Sequence, residues 1–261
     1  MKIVVIGDTG LIGSKVVTNL TELGHEAVPA SPRSGVNTIT GEGLEDALTG
    51  ASVVVDVSNS PTFEYLRALE FFATSARHLV SAERSASVGH HVVLSVVGTE
   101  ELSGGGDLTA TTAGYFLAKL VEEALVRTSG IPYSIVHATQ FFEFLGAIAD
   151  VSTHGEIVRL PPVAFQPMAA ADVARAVARV AAGEPANGLV EVAGPETFEL
   201  DQAVEQALMA RHDPREVVRD ASATYYGIRV GERSLVPRHS TWLGETRLED
   251  WLRDAVPVGA A

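Results

Sequence analysis

The 261-residue chain contains no cysteine, which excludes disulfides, thiolate metal sites and cysteine nucleophiles. Lysine is nearly as scarce. There are three, Lys2, Lys15 and Lys119, beside 16 arginines. Basic residues total 19 and acidic residues 33, a formal charge of −14. That excess argues against a nucleic-acid partner, whose phosphate backbone needs concentrated positive charge, and against an anionic membrane surface. A local basic pocket for one small anion is compatible with it. No apolar run approaches the ~20 residues that span a bilayer, and the opening MKIVVIGDTG reaches glycine too early for a secretory leader. The expectation is a soluble, cytoplasmic chain. Hydrophobic residues at 46% and charged residues at 20% give the balance of a globular protein, one large domain or a domain with an appended lobe.

Short β-branched runs alternate with longer amphipathic ones. Strands are expected at Lys2–Ile6, Glu26–Ala30, Ser52–Val57, His91–Val97, Tyr133–His137 and Leu189–Val192. Their near-continuous apolar character suits a parallel sheet buried on both faces. Helices are expected at Leu11–Leu23, Leu44–Leu48, Pro61 to about Val88, Gly114–Ser129 and Ala171–Ala182, with Gly24 closing the first and Asp172 opening the last. Glu100–Thr112, which holds Gly104, Gly105 and Gly106, reads as a mobile loop. The alternation implies an α/β fold, a doubly wound parallel sheet. Residues 1–138 and 168–194 form its core. Residues 139–167 and 195–261 are expected to form a small substrate-binding cap over the carboxyl edge.

The first strand leads into Gly7-Asp8-Thr9-Gly10-Leu11-Ile12-Gly13 and then a helix. The spacing is GxxGxxG rather than GxGxxG, but the physical requirements are the same. One glycine permits the turn, a second lets backbone approach phosphate, and a third lets helix and strand pack closely. The helix N-terminus then offers free N–H groups to a pyrophosphate. The other reading is a glycine-rich turn with no ligand. In a dinucleotide site the ribose is read about 20 residues further on. That position is Arg33, within Ala30-Ser31-Pro32-Arg33-Ser34-Gly35, a stretch without an acid. A guanidinium forks onto phosphate oxygens, so Arg33 with Ser31 and Ser34 favours NADP(H) over NAD(H). Arg33 as a solvated loop residue is the alternative. Ser58, Asn59 and Ser60 follow the third strand at the carboxyl edge, where they either meet the cofactor or serve as turn residues before Pro61.

The helix after the glycine loop carries Tyr115 and Lys119, which share one face at i and i+4. A nearby ammonium lowers the pKa of a phenol and makes it a usable proton donor to a carbonyl oxygen. Ser95, at the end of the fourth strand, is a candidate to hold the same oxygen. A boundary tyrosine and a snorkelling lysine give the same spacing by chance. The scarcity of lysine makes surface filler a weaker explanation here.

With these residues in place the chain resembles the short-chain dehydrogenase/reductase superfamily, in its atypical NmrA-like branch of NAD(P)-binding proteins. The likeness rests on Gly7–Gly13, on Ser95, Tyr115 and Lys119, on the run from Ser129-Gly130-Ile131-Pro132 to Phe141-Phe142, and on Gln166-Pro167-Met168 through Asp172-Val173-Ala174. It covers about residues 1–200. It implies a Rossmann-like fold, NADP(H) binding, and reduction of a carbonyl, quinone or related acceptor, with Lys119 also holding the nicotinamide ribose. His137 departs from the arginine of many relatives. The Gly104–Gly106 insertion before Tyr115 departs from the pattern as well.

Gln140, Phe141, Phe142 and Phe144 follow the fifth strand. They read either as an apolar wall for the nicotinamide and a flat substrate, with Gln140 orienting a polar group, or as core beneath the cap. His90 and His91 point to opposite faces of a strand, and no metal site is expected. The remaining partner expectations are a small-molecule substrate and a homodimer through the helices at Pro61–Val88 and Gly114–Ser129. Two other functions stay open: a non-catalytic NADP-sensing regulator, and an epimerase or dehydratase that retains its cofactor.

Overall fold

The computed structural model describes residues 1–109, 112–239 and 241–255. The elements in chain order are β1 (Lys2–Ile6), α1 (Gly13–Glu22), β2 (Glu26–Ala30), α2 (Leu44–Leu48), β3 (Val53–Asp56), α3 (Tyr65–Ala86), β4 (His90–Val96), α4 (Thr99–Gly104), α5 (Ala113–Arg127) and β5 (Tyr133–Ala138). They continue with α6 (Leu145–Val151), β6 (Thr153–His154), β7 (Ile157–Leu160), β8 (Ala164–Phe165), α7 (Ala170–Ala182), β9 (Gly188–Ala193), β10 (Phe198–Glu199), α8 (Leu200–Ala210), β11 (Glu216–Arg219), β12 (Thr241–Leu243) and α9 (Leu248–Ala255).

Seven strands form one sheet in the order β12-β9-β5-β4-β3-β1-β2, and every pairing in it is parallel. Helices cover both faces, which is why β1 and β3 tolerate uninterrupted apolar runs. On one face Val16 and Leu20 of α1 and Val173 and Val177 of α7 pack on Ile3, Val5, Val53 and Val55. On the other, Leu44 and Leu48 of α2 and Leu79 of α3 pack on Val4 and Val54. Gly24, at φ +81°, ends α1 as expected, its N–H reaching the Thr21 carbonyl at 2.9 Å. The chain passes from β1 to β2 on one side and then returns to set β3 on the other. The crevice where the order reverses lies beyond the carboxyl ends of β1 and β3, the place where such sheets take ligands.

The structure differs from the sequence expectation in four places. Helix α3 starts at Tyr65 rather than Pro61, because Ser60 donates to the Thr62 carbonyl at 2.8 Å and closes a turn first. Part of the expected glycine loop is the short helix α4, anchored by buried Leu102 and entered through Gly98 at φ +80°. The rest of that loop is tied down: Arg229 N–H donates to the Gly105 carbonyl at 3.0 Å, and Thr112 donates to the Tyr226 carbonyl from its side chain at 3.2 Å. Residues 110–111 lie outside the described set. Finally, residues 241–243, expected in the cap, are a seventh strand paired with β9.

Two small sheets, β11-β7-β6 and β10-β8, join α6, α8 and α9 in the remaining lobe. Its apolar residues, among them Phe142, Leu145, Leu200, Val204 and Leu248, are continuous with Phe72 of α3 and with Tyr115 and Phe116 of α5. Among the described residues no helix is long and apolar enough to cross a membrane, and no cluster of metal-ligating side chains occurs.

Candidate active site

The glycine turn separates into three roles. Gly7 takes φ +84° and lies against the end of β3, so a Cβ there would come within 2.9 Å of Ser58 Cα. Gly13 faces back onto the turn, and a Cβ would run into the Gly7 carbonyl oxygen and within 2.7 Å of Asp8 Cα. Gly10 is exposed, and its Cβ would meet only the Gly7 oxygen, at 3.3 Å. Gly7 and Gly13 are therefore required by packing, whereas Gly10 leaves open backbone. Thr9 and Leu11 are exposed at the tip, while Ile12 is buried in the core. No side chain caps the start of α1, and the Ser14 N–H there makes only a long bond of 3.5 Å to the Gly10 carbonyl, so this end of the helix suits an anion.

Buried polar atoms without partners collect along the same edge. Asp8 Oδ1 follows β1, Ser58 Oγ follows β3, and Thr139 Oγ1 with both amide atoms of Gln140 follow β5. Thr139 is 1% and Gln140 7% exposed. Buried polar groups are normally paired, so orphans past the carboxyl ends of β1, β3 and β5 suit a polar ligand lying along that edge. A dinucleotide fits it: pyrophosphate at the turn, with hydroxyl and amide groups further along the edge. Past β2, Pro32–Ser34 form a 3₁₀ turn in which Ser34 Oγ accepts the Ser31 N–H at 2.9 Å. This leaves Arg33 exposed beside the turn, since the Gly7 N–H reaches the Ala30 carbonyl at 3.0 Å.

Tyr115 and Lys119 share the inner face of α5 and are both buried. The Tyr115 hydroxyl donates to Asn59 Oδ1 at 2.8 Å, and its ring meets Phe63 and Phe72 edge-on. Lys119 Nζ donates to the Leu94 carbonyl at 2.8 Å, pairs with Glu122, and sits 4.6 Å from the Phe72 ring centre. The expected lowering of the phenol's pKa is not what this arrangement produces. Burial raises it, the Lys119 charge opposes that rise, and Glu122 adds to it. Burial also pushes the Glu122 carboxyl up to about 7. Burial works against the charge on Lys119, but Glu122 and Tyr115 more than offset it and the lysine's pKa is raised.

Ser95 has a partner that the sequence reading did not supply: its hydroxyl donates to Glu123 at 2.6 Å. The same carboxylate accepts His137 Nε2 at 2.9 Å and Arg127 at 3.1 Å. Burial opposes the charge of Glu123, yet these three donors hold its carboxyl below the usual range. Strand alternation directs Ser95 under α5, and a sequence does not reveal which strand face a helix will cover. The aromatic cluster also divides. Phe142 is 1% exposed and packs 5.6 Å from Trp251 in the lobe's core, which matches the core reading of the two expected for it. Phe141 and Phe144 stack at 5.4 Å, with Phe144 45% exposed. Asn59 and Glu122 are the site neighbours that pattern reading underweighted. The available signals were a polar residue just past a sheet strand and an acid at i+3 from the buried lysine.

No protein-family model matches the chain, and no curated protein matches it. Solved structures do match. MoeE5 in complex with UDP-glucose and NAD is 18% identical over 98% of this chain and 97% of its own, with a TM-score of 0.69. The NADPH-dependent quinone oxidoreductase QOR2 of Escherichia coli, complexed with NADPH, is 20% identical over 84% of this chain and 77% of its own, at 0.63. The dTDP-4-dehydrorhamnose reductase of Bacillus anthracis, in complex with NADP, is 12% identical over 95% and 91%, at 0.65. The chain thus has the α/β Rossmann-like fold shared by these structures, and also by a short-chain dehydrogenase/reductase superfamily protein of Agrobacterium tumefaciens with bound NAD, 17% identical over 98% of this chain and 96% of its own at a TM-score of 0.70.

Proposed function

We propose that this protein is an NADPH-dependent oxidoreductase that reduces a carbonyl, quinone or related small-molecule acceptor. One observation carries the reading: Gly7 lies against Ser58, the next residue is Asn59, and Asn59 holds the Tyr115 hydroxyl. The glycine turn and the Tyr115 hydroxyl are therefore joined through two consecutive residues, which supports assigning both to one site. The bound nicotinamide would supply hydride to the acceptor. The turn and the uncapped start of α1 would hold the pyrophosphate, and Arg33 the 2′-phosphate. Thr139 and Gln140 would pair with polar groups of the cofactor or acceptor, and the Phe141–Phe144 stack would offer a flat apolar surface beside them. Tyr115 would pass its hydroxyl proton to the acceptor oxygen on leaving Asn59. General-acid assistance of this kind contributes about 10²–10⁴-fold. Tyr115→Phe should therefore lower acceptor-dependent NADPH oxidation at least 100-fold while dinucleotide affinity stays near that of the wild type. An unchanged rate in that variant would remove Tyr115 from the chemistry.

The engagement of Ser95 by Glu123 favours a second reading, a dinucleotide-sensing protein without turnover. Tight NADPH binding with no oxidation by any ketone, quinone or imine acceptor would select it.

A further inference from the structure

The usual thought about a tyrosine four residues before a lysine is that the ammonium serves the phenol directly. Here the lysine is otherwise occupied. Its Nζ is bonded to the Leu94 carbonyl and paired with Glu122, and it lies over the Phe72 ring, while the Tyr115 hydroxyl has Asn59 as its partner. Glu122 is 1% and Lys119 3% exposed, so water screens neither. We propose that Glu122 is a positioning residue of the reaction assigned above: by engaging Lys119 in the buried layer between the sheet and α5, it offsets the pull of the lysine's charge on Tyr115 and helps keep that side chain a neutral acid, the form that gives a proton rather than takes one.

The surroundings reinforce this on every side. Asp56 of β3 and His91 of β4 both act on the Lys119–Glu122 pair. Glu83 of α3 bonds His91 Nδ1 at 2.6 Å. The layer thus contains three carboxyl groups besides the imidazole and the ammonium, and Glu122 counters the pull of the ammonium on the phenol. An unpaired cation in so dry a place would stabilise a phenolate strongly, and the helix spacing alone would lead one to expect that. Burial of the phenol, together with the carboxylate at i+3 from Lys119, reverses the outcome. This inference rests on Tyr115 being the proton donor, but its main test needs no turnover.

The test is a tyrosinate absorbance titration of the dinucleotide-free protein, with Tyr115→Phe used to identify the Tyr115 component among five tyrosines. In Glu122→Gln, which keeps the shape and removes the charge, the Tyr115 midpoint should move to lower pH. Glu122→Asp should restore it toward the wild type. Lys119→Gln, which leaves the carboxylate without its cation, should move it to higher pH and serves as the reading should Glu122→Gln fail to fold. With a working acceptor, the alkaline limb of kcat should follow the same order. Unmoved midpoints in folded Glu122→Gln or Lys119→Gln overturn the proposal, even if turnover is robust. Shifted midpoints in a protein that reduces no acceptor uphold the arrangement and defeat only the assigned reaction.

Discussion

Two alanine substitutions in one turn separate what the fold needs from what the ligand needs. In Gly13→Ala the new Cβ strikes the Gly7 carbonyl oxygen and comes within 2.7 Å of both Gly7 C and Asp8 Cα. All three are backbone atoms, wedged by Gly7 against Ser58, so none can yield cheaply. Overpacking of this kind costs about 1–3 kcal/mol. In a chain of this size each kcal/mol lowers Tm by about 2–4 °C, so a fall of roughly 4–8 °C is expected from a mid-range cost. Gly10→Ala meets a single atom at 3.3 Å on an exposed tip, and its Tm should stay within about 1 °C of the wild type by the same conversion. Its methyl group instead stands where backbone would meet phosphate. Losing one charge-assisted hydrogen bond costs about 1.5–3 kcal/mol, or roughly 10- to 100-fold in Kd. Scanning calorimetry and a fluorescence titration with NADPH read the two quantities on the same samples. Wild-type NADPH affinity in Gly10→Ala would refute the placement of the pyrophosphate, and an unchanged Tm in Gly13→Ala would refute the packing argument.

Arg33→Ala should weaken NADPH about 10- to 100-fold, the value of a guanidinium–phosphate contact, and leave NADH within about twofold; equal losses, read by parallel titrations, would count against a 2′-phosphate contact. His90 is 3% exposed and bonds Ser134 Oγ at 2.9 Å. Burial, with the neighbouring His91, takes its pKa down to about 4. The unfolded chain therefore binds a proton between about pH 4 and 6.5 that the folded chain refuses. The His90 contribution to stability is complete above 6.5 and lost as pH falls through 4, with a slope of up to about 1.4 kcal/mol per pH unit. Denaturant unfolding of His90→Gln across that window should show a correspondingly flatter pH dependence, and superimposable curves would contradict the assignment.

How much was legible in the sequence depends on whether a feature is local. The β1–turn–α1 unit, the Gly24 stop and the alternation that dictates a parallel sheet all follow from neighbouring residues. Strand β12, with three residues, is too short to carry a period and exists because β9 offers it an edge. The two small sheets are likewise made by pairing across distance, β11 with β7 and β10 with β8. At the site, the i,i+4 face of Tyr115 and Lys119 is a property of the helix itself. The partners of those residues are not, because Asn59, Leu94 and Asp56 come from other elements. Ser95 and Phe142 both lie next to the expected pocket in sequence, but their partners, Glu123 and Trp251, come from elements that neighbouring residues do not reveal.

The bonds that fasten Gly105 and Thr112 to Arg229 and Tyr226 have a bearing on synthesis. They bridge 124 and 114 positions, and they brace the entrance of the helix that carries Tyr115. A chain emerging from the ribosome can complete the glycine turn early, since β1, β2 and β3 all lie within its first sixty residues. The brace cannot form until more than a hundred further residues have been translated, and contacts of such long range close late. During elongation the glycine turn can therefore be assembled while the tyrosine helix is still unbraced. Dinucleotide binding would mark the arrival of the first half of the polypeptide, and proton transfer the docking of the second.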